Sequence, residues 1–163
     1  MRRAVVESRW LSYNGVMETR KAQPTSKLSD ATENTDDLSR RDFLVLVVDD
    51  VVDNIVLISL DLQQQGYRVI TASNGEEAVR VATLAVPDII LMDIGMPQLD
   101  GLGATRKIRE NEALQSIPVI AITAFSTDGF RRAAYDVGFD GFLTKPIDFN
   151  RLHDLIRRLL PMK

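Results

Sequence analysis

From residue 43 onward, short apolar runs alternate with longer stretches that mix apolar and charged positions. Phe43–Val48 is a β-branched apolar run that stops at Asp49-Asp50, the pattern of a strand buried on both faces. Asp53–Gln65 is long enough for a helix, and Gly66 is a natural stop. Tyr67–Ala72 reads as a second strand. Asn74 caps a helix predicted over Gly75–Ala85, with Glu76 and Glu77 at its positive end and Pro87 closing it. Ile89–Met92 is a third strand ending at Asp93, and Leu102–Arg109 reads as a helix. Pro118 opens a fourth strand, Val119–Thr123, and Phe130–Val137 is helical up to Gly138. Phe142–Thr144 is a short fifth strand before Lys145-Pro146, and Asp148 caps a last helix, Leu152–Leu160, closed by Pro161. Five alternating strand–helix units predict an α/β fold: a doubly wound, five-stranded parallel sheet with helices on both faces and right-handed crossovers.

Residues 1–41 break this pattern. They hold eight basic and six acidic residues, and Ala22–Ser39 is rich in Ser, Thr, Asp and Asn. That composition buries too little apolar surface to offset chain entropy. Residues 1–41 therefore read as an N-terminal extension, linker or disordered, and residues 42–163 as the folded domain. Within the extension, Val5, Val6, Trp10, Leu11, Tyr13 and Val16 could form a short docking helix, and Met17 could be the true start.

Composition narrows the functions. With 163 residues, 45% hydrophobic and 26% charged, and a mean hydropathy of −0.06, the chain is neither wholly disordered, fibrous nor membrane-spanning. Its longest apolar run, Phe43–Val48, is far short of the about 20 residues that cross a bilayer. Only Ala4-Val5-Val6 follows Met-Arg-Arg, against the roughly 7–15 apolar residues of a secretory signal, so a cytoplasmic location is expected. No cysteine means no disulfide, no thiol catalysis and no Cys-ligated metal, and the single His153 excludes a site needing two histidines. A net charge of −3 and a pI near 5.2 give no ground for nucleic acid or anionic lipid as partner.

The polar residues that interrupt the pattern share one position in it. Asp49 and Asp50 end the first strand, Asp93 the third and Thr123 the fourth, and Lys145 follows the fifth. Open parallel sheets bind ligands outside the carboxyl ends of their strands, at the switch in strand order. With order 2-1-3-4-5, that crevice lies between the first and third strands, where the three carboxylates converge. Such carboxylates repel one another unless a hard divalent cation sits among them, and Mg²⁺ suits a site of carboxylates, waters and phosphate oxygens. Lys145 adds a compact positive charge and Thr123 a hydroxyl donor. Together they describe a carboxylate that accepts a phosphoryl group in line while cations and donors stabilise the equatorial oxygens.

Four stretches, LVLVVDD at 44–50, IILMDIGMPQLDG at 89–101, PVIAITA at 118–124 and GFLTKPI at 141–147, stand in order on these elements. In them the chain from about Phe43 to Leu160 resembles the response-regulator receiver domain of two-component signalling, a flavodoxin-like fold. The resemblance implies that Asp93 is the phosphoacceptor and that Asp49, Asp50 and Asp93 hold Mg²⁺, with the backbone carbonyl of Gly95 as a further ligand. It implies that Thr123 and Lys145 contact the phosphoryl group, that Thr123 and Phe142 form a switch, and that the bond before Pro146 is cis. It implies a histidine kinase or histidine phosphotransfer protein as donor, an unidentified downstream protein, and a homodimer formed on phosphorylation. Three positions depart from or vary within the pattern. Val51 stands where an acid usually follows the Asp pair, Gly95 leaves the acyl phosphate open to water, and Phe125 could cover it.

Plainer readings stand beside these. Asp49, Asp50 and Asp93 could be strand-end, cap or turn residues, Thr123 an ordinary strand residue and Phe142 a core aromatic. Gly101 after Asp100 reads as turn chemistry, His153 as a solvated surface residue, and Arg131-Arg132 and Arg157-Arg158 as exposed helix faces. The expected function is a stand-alone, phosphoryl-accepting response regulator that promotes its own aspartyl phosphorylation and dephosphorylation without being an enzyme. The chain ends about three residues after the last helix, so no C-terminal output domain is expected. The alternative is a Mg²⁺-dependent phosphohydrolase with an aspartyl nucleophile, which typically carries Asp-x-Asp on the first strand and a cap that is missing here. A degenerate receiver would have lost part of the Asp49, Asp50, Asp93, Thr123 and Lys145 set. A nucleotide fold would show G-x-G-x-x-G after the first strand. The first helix is apolar all round. Leu57, Ile58 and Leu62 are expected to face the sheet, while Val52, Val56 and Leu60 form an outer stripe that docks either the phosphodonor or the chain's own Trp10–Val16 segment.

Overall fold

The computed structural model describes residues 43–160; the expectations for residues 1–41 and for Pro161 lie outside them. Strands β1 (Leu44–Val48), β2 (Arg68–Ala72), β3 (Ile89–Asp93), β4 (Val119–Thr123) and β5 (Gly141–Thr144) alternate with helices. These are α1 (Val52–Gln64), α2 (Gly75–Ala85), α3 (Gly101–Glu110), α4 (Asp128–Val137) and α5 (Phe149–Leu159). Every pairing is parallel, in the order β2-β1-β3-β4-β5, so the strand order reverses between β1 and β3 as expected.

The apolar strands divide their side chains between two cores because successive residues point to opposite faces. Leu46, Val48, Ile90, Met92 and Ala121 pack with Ala78, Ala82, Ala104, Ile108 and Ala134 of α2, α3 and α4. Val45, Val47, Ile89, Leu91, Ile120 and Ile122 pack on the other face with Ile58, Leu62, Leu152 and Ile156 of α1 and α5. Burial on both faces is why β1, β3 and β4 read as unbroken apolar runs rather than alternating ones.

Side-chain caps set several helix starts. Asn74 accepts from Glu77 N at 2.9 Å and Asp100 from Gly103 N at 2.7 Å. Asp148 accepts from Asn150 N at 3.0 Å and from Arg151 N at 3.3 Å. This cap starts α5 at Phe149, three residues earlier than the apolar period indicates, because exposed Asn150 and Arg151 conceal the first turn. Thr127 likewise starts α4 at Asp128, ahead of Phe130. The C-terminus of α4 ends on Gly138 at φ 109°, a left-handed position that favours glycine.

One assignment on α1 is corrected. Ile58 and Leu62 are buried, but Leu57 is 55% exposed. At 100° per residue Leu57 sits about 120° from the direction midway between Ile58 and Leu62, too far round to reach the sheet. Ile55, half-buried, completes the inner face instead. Leu57 joins exposed Val52, Val56 and Leu60 on the outer one.

Candidate functional site

The carboxyl ends of β1, β3, β4 and β5 bring together the acids, the hydroxyl and the lysine. Asp49 leaves β1 buried, 1% exposed, and Asp93 closes β3 at 5% exposed, whereas Asp50 is exposed. One carboxylate oxygen from each of the three lies within 4.8 Å of the others. Lys145 reaches into the same place from the end of β5, with Nζ 2.7 Å from Asp49 Oδ2 and 2.8 Å from Asp93 Oδ2. Its backbone N–H donates to the Thr123 carbonyl at 2.8 Å, so β4 fixes the lysine's starting point.

The charges are left unbalanced. Three carboxylates face one ammonium, an excess of two negative charges in a largely buried place. Burial is the largest single influence on Lys145 and pulls its pKa down. The hydrogen bonds and charges of Asp49 and Asp93 together outweigh it, and the ammonium is held above its ordinary value.

The two buried acids differ in what remains free on them. Asp49 Oδ1 accepts from Val51 N at 2.9 Å and Asn54 Nδ2 at 3.1 Å, and Asp49 Oδ2 accepts from Asn54 Nδ2 at 3.0 Å and from Lys145. Four donor contacts use up a carboxylate's four acceptor directions. Among the described residues, Asp93 accepts only Gly95 N, at 3.1 Å on Oδ1, and Lys145 on Oδ2, which leaves it directions to spare. Asp50 accepts no hydrogen bond among the described residues. The donor set fits a hard divalent cation: an excess charge of two, oxygen ligands only, and free acceptor directions on Asp50 and Asp93. Space at Gly95 agrees, since a Cβ there would meet nothing nearer than Asp93 Oδ1 at 3.8 Å.

Thr123 is fully buried at the end of β4, and its Oγ1 accepts from Phe125 N at 3.1 Å, leaving its own proton to donate. Phe125 is 56% exposed, and its ring packs at a tilt of 41° against Phe130 of α4, with centroids 5.1 Å apart. Phe142 is buried in the core beside α4, with the Arg131 guanidinium 5.2 Å from its ring centroid. The Lys145–Pro146 peptide bond is cis.

Three residues carry more than their sequence context shows. Asn54, in the first turn of α1, grips both oxygens of Asp49; only the fold brings the start of α1 back over the end of β1. Gly101 is more than a turn residue: a Cβ there would lie 2.2 Å from the Asp93 carbonyl oxygen, so only glycine lets α3 start directly beneath the acidic strand end. His153 is not solvated but half-buried, with Nε2 2.6 Å from Asp61 Oδ2 across α5 and α1. Its place on a helix of otherwise exposed charged residues gives no hint of that partner.

The family of response regulator receiver domains matches residues 45–157 of this chain. The chain belongs to that family. Response regulator PleD of Caulobacter vibrioides is 40% identical over 119 residues, covering 73% of this chain and 26% of PleD. Polar-differentiation response regulator DivK of Brucella anthropi is 35% identical over 116 residues, covering 71% of this chain and 94% of DivK. The receiver domain of a Pseudomonas aeruginosa sensor histidine kinase, solved with a magnesium ion coordinated in its active site cleft, is 37% identical with a TM-score of 0.67. That match covers 72% of this chain and 96% of the other. The matched region thus spans about a quarter of PleD and nearly all of DivK. Receiver domains are the phosphoryl-accepting modules of two-component signalling and not enzymes of the usual kind. The phosphohydrolase alternative is not favoured, since this receiver has adjacent Asp49-Asp50 after β1 rather than Asp-x-Asp. Among the described residues no helix is long and apolar enough to cross a membrane.

Proposed function

We propose that this receiver domain, carried by residues 42–163, takes a phosphoryl group onto Asp93 from a phosphohistidine of a histidine kinase or phosphotransfer protein in the cytoplasm. The observation that carries this reading is the under-neutralised trio of Asp49, Asp50 and Asp93 around one lysine. Asp93 is the member that is buried, tethered by only two donors and free to attack. A lone pair left free on one of its carboxylate oxygens forms the new bond to phosphorus as the phosphorus–nitrogen bond of the donor breaks. The electron pair stays on the imidazole nitrogen. Lys145, already 2.8 Å from Asp93, pairs with one phosphoryl oxygen, and the Thr123 hydroxyl donates to another.

Asp50, Asp93 and the Gly95 carbonyl would hold Mg²⁺, with Asp49 completing the acidic surround. When bound, the ion offsets the charge that builds on the phosphoryl oxygens. The same groups would promote hydrolysis of the acyl phosphate, because open Gly95 admits water and Phe125, drawn off onto Phe130, leaves the site uncovered. Movement of Thr123 toward the phosphoryl group would free the space in which Phe142 changes its packing, and with it the adjoining surface.

The stripe of Val52, Val56 and Leu60, widened by Val51 and Leu57, fits the phosphodonor itself. It begins two residues after Asp50, on the helix that leaves the site, so a partner presenting a phosphohistidine to Asp93 lies over it. The competing occupant, Trp10–Val16, lies outside the described residues.

Incubation with Mg²⁺ and acetyl phosphate tests the core of this. One phosphoryl group should be incorporated, it should need the metal, and hydroxylamine should remove it. Metal-independent or hydroxylamine-stable labelling contradicts the proposal.

A further inference from the structure

Among the described residues, Asn54 is the one uncharged side chain that grips the acidic cluster. Its single Nδ2 meets both Asp49 oxygens, at 3.1 and 3.0 Å. The amide can sit only this way round, since turned over its oxygen would face two carboxylate oxygens. The main chain beneath it is fixed by Asn54 N, which donates to the Val51 carbonyl at 3.1 Å in the first turn of α1. Asp49 is therefore clamped from one side by α1 and presents Oδ2 to Lys145 on the other, at 2.7 Å.

Lys145 is shared between Asp49 and Asp93. When Asp93 is modified, the ammonium must turn from the carboxylate to the incoming phosphoryl group while Asp49 keeps hold of it. A freely rotating Asp49 could not serve as that anchor. Asp49 is also the acid whose acceptor directions are all in use, and Asn54 supplies two of the four contacts that fill them.

We propose that Asn54 is a positioning residue: by holding both oxygens of Asp49 it fixes the anchor of Lys145 and keeps that carboxylate's charge from the metal. This rests on the phosphoacceptor reading of Asp93 for its chemical consequence, but not for its effect on metal affinity. Loss of the amide should free negative charge for the cation while loosening the lysine, so binding and chemistry should move in opposite directions.

The experiment uses the full chain with Asn54→Leu, which keeps the size and removes both donors. Mn²⁺ binding to metal-stripped protein is followed by electron paramagnetic resonance, and labelling by acetyl phosphate is timed at saturating Mg²⁺. Mn²⁺ should bind about three- to tenfold more tightly and labelling should slow by a similar factor, the scale of one ordinary hydrogen bond lost. Asn54→Thr has one O–H, able to meet one oxygen only; it should shift both readings the same way by less, and it serves if the leucine variant does not fold. Mn²⁺ affinity that is unchanged, or that falls in step with labelling, in a folded variant overturns the proposal. Absence of labelling in the wild type defeats the phosphoacceptor reading instead, and the Mn²⁺ comparison still decides the role of Asn54.

Discussion

Acids stand at both ends of the same sheet, and they behave in opposite ways. Asp88 leads into β3, and its Oδ2 accepts from Leu44 N at 2.7 Å. Asp140 leads into β5, and its Oδ2 accepts from Val119 N and from Arg109 Nη2, both at 2.8 Å. Arg109 spends its remaining donors on the carbonyls of Gly138, Gln115 and Ile117. Asp140 is matched there by the Arg109 charge, and Asp88 is tied down by a backbone N–H, as in a structural joint. At the other end Asp49, Asp50 and Asp93 share one lysine and remain two charges short. Acids alone do not mark a functional site; a cluster of acids crowded around too little counter-charge does.

The largest test of that contrast removes Lys145. Lys145→Met leaves Asp49 and Asp93 buried without their cation, and should cost about 3–5 kcal/mol in metal-free urea unfolding. Mg²⁺ should return part of that loss. Arg109→Ala breaks the joint at the opposite end and should cost about 2–3 kcal/mol. That loss should be the same with and without Mg²⁺; a Mg²⁺-dependent loss would erase the distinction between the two ends.

Asp93→Asn removes one of three crowded charges. It should raise metal-free stability by about 1 kcal/mol, repulsion relieved being partly offset by the weaker bond to Lys145. It should also shrink the rise in melting temperature that Mg²⁺ gives the wild type. No change in either reading would mean that the three acids do not act on one another.

The smallest effect is at high pH. Because the pKa of Lys145 is raised on folding, its stabilising contribution is complete below the ordinary lysine value and is lost as pH climbs through the folded one. Above about pH 10.5 the wild type should lose stability more steeply than Lys145→Met. Parallel urea midpoints across that range would show instead that Lys145 titrates as a free lysine.

Much of this was legible in the sequence because two periodicities coincide with punctuation. Buried strands end abruptly at Asp49, Asp93 and Thr123, and caps such as Asn74 and Asp148 stand where helices begin. Strand order then placed the Asp49-Asp50 pair beside distant Asp93, since β1 and β3 are neighbours in the sheet. What stayed hidden was set by contacts between elements. The grip of Asn54 on Asp49 depends on how α1 leaves β1, and Asp61 meets His153 only because α1 and α5 share one face of the sheet. Leu57 misled for a simpler reason: within an aliphatic run that includes buried Ile58, a leucine reads as core unless its angle is worked out. Gly101 required knowing how closely α3 approaches the Asp93 carbonyl.

The central claim, that Asp93 rather than any neighbour receives the phosphoryl group, is tested most directly by borohydride reduction of the freshly labelled protein. Reduction of an aspartyl phosphate leaves homoserine at the modified position, which peptide mass spectrometry locates. The account predicts homoserine at position 93 and nowhere else, and none in Asp93→Asn. Homoserine at position 49 or 50, or a label that survives on Ser or Thr with Asp93 intact, would contradict it.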